Sequence, residues 1–162
     1  MRTVVGVMGS GQPLDQHAYD TAHRLGALIA GHGWVLLTGG TASGVMDAAS
    51  RGAHEAGGLV IGVLRGADGT EASSYVDVGI RTGMGDARNV INVLSSDVVI
   101  ALPGGPGTVS EVALALKSGK PVIVLGWDPG AAIRTAGRGR LFDAQAPEDA
   151  VETARRVLLG DM

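Results

Sequence analysis

Residues 97–111 read DVVIALPGGPGTVSE, and the parsing of this stretch decides the fold. Val98 to Leu102 form a solid apolar run closed by Pro103, the pattern of a strand covered on both faces. The Gly-rich turn PGGPGT (103–108) follows, after which Val109, Val112, Ala113 and Leu116 recur at helical spacing. Strand, glycine turn and helix in that order are the opening of a βαβ unit.

The same unit repeats along the chain. TVVGVMG (3–9) runs through MGSGQP (8–13) into a helix predicted over 14–31, striped by Leu14, Ala18, Ala22, Leu25 and Ile29. GWVLLTG (33–39) runs through TGGTASG (38–44) into a second helix carrying Val45, Met46, Ala49, Ala53 and Ala56. LVIGVL (59–64) is a third strand, residues 65–74 are a polar loop, YVDVGI (75–80) is a weaker strand and KPVIVLG (120–126) another. Over 86–96 the positions Ala87, Val90, Ile91 and Leu94 make one helical stripe, which sends Arg88, Asn89 and Asn92 to the opposite face. Residues 127–146 lack a period and read as a loop with a short strand at LF (141–142); PEDAVETARRVLL (147–159) is a final helix opened by Pro147. The expected fold class is α/β: a Rossmann-like, doubly wound parallel sheet with helices on both faces, in one domain over 1–162.

Composition narrows the function classes. With 45% hydrophobic and 18% charged residues the chain is a packed globular domain rather than a disordered one. A net charge of -3 and only five aromatic residues argue against a nucleic-acid partner, which needs a basic face and stacking rings. No window approaches 18 apolar residues, so no membrane partner is expected, and the short apolar start is too brief for a secretory leader. The absence of cysteine excludes thiolate chemistry and fits a cytoplasmic location. His17, His23, His32 and His54 have no ligand spacing, so no metal is expected.

Three glycine turns follow strands and therefore fall at one edge of the sheet: Gly9 with Ser10; Gly39, Gly40 and Gly44; and Gly104, Gly105 and Gly107 with Thr108. Free backbone N–H groups and a positive helix end at each would suit a phosphate. None is a Walker loop or a G-x-G-x-x-G dinucleotide turn, and no cofactor is called for. Arg88, followed by Asn89, is either a solvated surface residue or a fork for a phosphate or carboxylate. Glu111 has two readings as well. Thr108 to Glu111 spells the capping box T-x-x-E, while a Glu facing the ligand would stabilise positive charge at a sugar carbon.

PGGPGTVSE resembles the P-G-G-x-G-T-x-x-E motif of the Lonely Guy family of cytokinin-activating phosphoribohydrolases, often mislabelled lysine decarboxylases. GGTASGVMDAAS and GMGDARN resemble two further segments of that family, and the resemblance covers roughly residues 3–126. It implies a homodimer or higher homo-oligomer that cleaves a nucleoside 5'-monophosphate to free base and ribose 5-phosphate. Glu111 would be the catalytic carboxylate, Arg88 its partner, Gly104, Gly105, Gly107 and Thr108 the phosphate holders, and Ser10 a lining residue. Two positions depart from the family, Asn89 where it usually has Lys and Ser110 where it has Glu. The short chain and GKPVIVLG are closer to a sister group that includes molybdenum cofactor carrier proteins. The alternative expectation is therefore a non-catalytic binder or carrier of a phosphorylated ligand such as the molybdenum cofactor. Lysine decarboxylation is rejected, because the only lysines, Lys117 and Lys120, belong at the far edge of the sheet.

Overall fold

The computed structural model describes residues 1–162. Seven strands, β1 (Val4–Met8), β2 (Val35–Thr38), β3 (Val60–Leu64), β4 (Val78–Arg81), β5 (Val98–Ala101), β6 (Val122–Leu125) and β7 (Leu141–Ala144), form one sheet in the order β4-β3-β2-β1-β5-β6-β7. Every pairing is parallel. The apolar runs of β2, β5 and β6 are buried at every position, as strands sandwiched between two helical layers must be.

Helices α1 (Gln16–Gly31), α2 (Gly44–Glu55) and α6 (Pro147–Leu159) cover one face; α3 (Asn89–Leu94), α4 (Pro106–Lys117) and α5 (Ala131–Ala136) lie on the other. The chain leaves β1 toward one face and β5 toward the other, so the strand order reverses between these two central neighbours. A crevice opens there at the carboxyl edge.

Two glycines set how closely α1 and α2 cross. A Cβ at Gly26 would run into the backbone carbonyl of Ala49, and one at Gly52 into that of His23. With Ala22, Ala48, Ala49 and Ala53 buried alongside, the crossing is backbone against backbone.

Two expectations are corrected. Residues 127–146 contain a helix, α5, and a full parallel strand, β7, which pairs with β6 from Val122↔Leu141 to Leu125↔Ala144. Neither shows a period, because α5 is a single short helix with no buried residue and β7 is an edge strand. The second correction concerns 86–96. A 3-10 turn at Gly85–Arg88, entered through Gly85 at φ +58, precedes a short α3. Arg88, Asn89 and Asn92 point inward, while Val90 and Leu94 are 42% and 56% exposed. Val93 still packs into the core, but beside it the inner side meets polar partners on α4, Ser110 and Glu111, which draw Asn89 and Asn92 inward.

Candidate functional site

Backbone hydrogen bonds gather the glycine turns. The Ser10 N–H donates to the Pro103 carbonyl at 3.2 Å, and the Val45 N–H donates to the Ser10 carbonyl at 2.8 Å, so all three loops share one junction. Gly44, at φ +58, lies so close to the Ser10 carbonyl that no side chain fits there.

Above this junction lies a cavity of about 570 Å³. Gly9, Ser10, Gly39, Arg88, Asn89, Gly105, Gly107, Thr108 and Glu111 line it. Gly40, Gly44 and Gly104 do not. Gly40 packs against Gly62 and Leu64, Gly44 against Ser10, and Gly104 against the Thr108 hydroxyl, so their smallness serves the shape of the turns.

The α4 start excludes the capping box. Gly105 is the N-cap and Pro106 the first helical residue, which places Thr108 inside the helix with its hydroxyl against Gly104. Glu111 sits a turn further on, 6% exposed, and faces the cavity. Its Oε1 accepts from Asn92 Nδ2 at 2.9 Å and lies 3.6 Å from Arg88 Nη1.

Arg88 is not a solvated residue; it is 7% exposed and lies against Gly39, where a Cβ would strike the guanidinium. Its Nη1 donates to Asn89 Oδ1, whose amide donates to Ser110 Oγ at 3.2 Å, and Ser110 donates to the Gly107 carbonyl at 2.7 Å. Asn89 and Ser110, the two departures from the phosphoribohydrolase pattern, are thus hydrogen-bonded to each other. Arg88 Nε is buried with no partner, and so is Asn92 Oδ1. A buried donor without a partner is costly, so the position of this guanidinium is held against an energetic penalty.

Burial dominates the electrostatics of the pair. It raises the Glu111 carboxyl above its ordinary range, against the opposing effects of the Asn92 hydrogen bond and the Arg88 charge. It likewise lowers the Arg88 guanidinium, with Glu111 opposing and Arg65 adding to the shift. Because the Glu111 pKa is higher folded than unfolded, its contribution to stability is complete below the unfolded value and is lost as pH rises through the folded one. A Glu111→Gln protein is therefore expected to be more stable than the parent at neutral pH. The difference shrinks to nothing under acid, and paired denaturant melts from pH 4 to 8 check it; a pH-independent difference would refute the account.

The cavity also includes Arg65, Glu71 and Asp86, which lie in the polar loop after β3 and at the start of the 3-10 turn. No motif marks Arg65; its only signal is its place directly after the β3 apolar run, at the carboxyl edge. Asn92 was visible as one of three polar residues on a face that turned out to point inward. Lys117 ends α4 and Lys120 reaches the Leu94 carbonyl, both remote from the cavity lining.

The profile of the SLOG cluster4 family matches residues 2–151. The chain belongs to that family. Within the wider similarity, this SLOG cluster4 chain superposes on the molybdenum cofactor binding protein of Rippkaea orientalis with a TM-score of 0.93, at 46% identity over 98% of both chains. The molybdenum cofactor carrier protein of Chlamydomonas reinhardtii superposes with a TM-score of 0.91, at 44% identity over 98% of this chain and 99% of that one. A more distant relative is the cytokinin riboside 5'-monophosphate phosphoribohydrolase of Mycobacterium tuberculosis, 32% identical over 133 residues, which are 75% of this chain and 69% of that protein. No helix of the SLOG cluster4 fold seen here is long and apolar enough to cross a membrane.

Proposed function

We propose that this protein binds a phosphorylated small molecule at the glycine-lined cavity and carries it without cleaving it, the molybdenum cofactor being the leading ligand. The observation that carries this reading is the guanidinium of Arg88, 7% exposed, lining the same cavity as the turns of Gly9, Gly39, Gly105 and Gly107. A phosphate there would accept from Arg88 and from the free N–H groups at the start of α4. The surroundings of Glu111 favour carriage over hydrolysis. Stabilising an oxocarbenium-like sugar needs an ionised carboxylate with a free oxygen, whereas burial raises the Glu111 carboxyl above its ordinary range and Asn92 occupies one of its oxygens. The similarity to molybdenum cofactor carriers supports the same choice.

Hydrolysis of a nucleoside 5'-monophosphate is the second reading, favoured by Arg88 and Glu111 lying together as that chemistry requires. A homo-oligomer is proposed on either reading, because Val90 and Leu94 on α3 and Val109 on α4 are exposed apolar residues on one helical layer. One purification tests these points. Protein made in cells that synthesise the cofactor should release an oxidised pterin on acid treatment, sediment as an oligomer, and free no base from a panel of nucleoside monophosphates. Base release that disappears in Glu111→Gln, with no pterin, would overturn the carrier reading.

A further inference from the structure

Arg65 lines the same cavity as the glycine turns. Its backbone is pinned, since its carbonyl accepts from the Gly85 N–H at 3.1 Å, where the 3-10 turn bearing Asp86 and Arg88 begins. Its side chain is not pinned. Every other arginine on the protein surface that pairs with a carboxylate does so at 2.7–2.9 Å. Arg65 instead lies 3.8 Å from Glu71 and 3.4 Å from Asp86, half exposed, and Asp86 itself is almost wholly in water. Glu71 is already engaged, its Oε1 accepting from the Gly66 N–H at 2.8 Å. Exposed pairs this loose contribute little, so releasing them costs little. Arg65 lines the same cavity as Arg88, and its positive charge adds to the burial that lowers the Arg88 guanidinium. Two guanidiniums therefore line one cavity. Arg88 is buried and fixed beside the glycine turns, while Arg65 is loosely held at the rim.

We infer that Arg65 forms a second anionic subsite, so that the cavity selects ligands carrying a further negative group beyond the phosphate held at the glycine turns and Arg88. This rests on reading the cavity as a phosphate site. On binding, Arg65 leaves Asp86 and Glu71 and turns its five-donor fork to the second group of the ligand. The loose ion pairs hold the arm extended meanwhile. A phosphorylated ligand with a second acidic end is thereby separated from a simple monophosphate.

The test is calorimetric titration of the full chain with inorganic phosphate, pyrophosphate and a hexose 1,6-bisphosphate, which place the second charge near and far. The parent should bind at least one of the doubly anionic probes more tightly than phosphate. Arg65→Gln should reduce that affinity by about tenfold, a typical loss for one charge-assisted contact, and leave phosphate within about twofold. Asp86→Asn, which removes a competitor for Arg65, should move the doubly anionic affinity upward. Equal losses for phosphate and for both larger probes in Arg65→Gln would overturn the subsite and leave the phosphate reading standing. No phosphate binding by the parent would overturn both.

Discussion

An Arg88→Met protein is expected to bind the phosphorylated ligand proposed for the parent at least about thirtyfold more weakly while remaining folded. Removing a desolvated charge that faces an anion costs about 2 to 5 kcal/mol, well above the loss at an exposed site. Methionine replaces most of the stem volume between Gly39 and α4, so packing changes little. Loss of Arg88 removes one of the two effects that hold the Glu111 carboxyl down, so its pKa rises further and the cost of leaving it unpaired is limited by protonation. Arg88→Lys separates charge from geometry: an ammonium restores the charge but has no planar fork, and intermediate affinity is the expected result. Calorimetric titration reads both variants. Undiminished affinity in Arg88→Met, in a protein with the parent's thermal transition, would exclude this residue from the site.

The largest effect on stability is expected far from the cavity. Gly26→Val should cost about 3 kcal/mol or more, because the new side chain enters the space of the Ala49 carbonyl and the two helices cannot part without opening the α1 and α2 core. For a domain of this size that corresponds to a fall of roughly 10 °C in Tm, read by circular dichroism. Gly31→Ala supplies the contrast. Gly31 ends α1 with open space around its Cα, so alanine should be neutral or slightly stabilising. Equal melting of the two variants would show that α1 and α2 do not cross as closely as described. The crossing matters to the site because α2 delivers Gly44 and Met46 to the glycine junction.

The central strands and their glycine turns were legible because β2, β5 and β6 are buried on both faces, and burial on both faces writes an uninterrupted apolar run. The convergence of Gly9, Gly39 and Gly105 followed from topology alone, since a parallel sheet sends every strand-to-helix turn to one edge. What failed has physical causes. In α3 the inward side carries Asn89 and Asn92 beside the core residue Val93, because Ser110 and Glu111 on α4 offer polar partners there, so the stripe of Val90 and Leu94 marked the helix but not its buried face. At Glu111 the T-x-x-E pattern was genuine but out of register. Pro106, which suits the first helical position, fixed the start of α4 before Thr108, and that proline was a usable signal. Arg65 could not be found from its neighbours in sequence, because it joins Arg88 in one cavity only once the chain is folded.

Helix α3 has only six residues, too few to hold its shape without contacts on its sides. Its inner side carries Asn89 and Asn92, hydrogen-bonded to α4 at the cavity, and its outer side carries Val90 and Leu94 in water. Whatever settles on the outer side thus steadies the same turn that presents Arg88, and a ligand on Arg88 steadies the surface offered outside. If that outer side is where copies of this chain meet, as proposed above, association and ligand affinity become two readings of one equilibrium. A binding constant measured at one protein concentration would shift at another, and by thermodynamic reciprocity a saturating ligand would tighten self-association by the same factor.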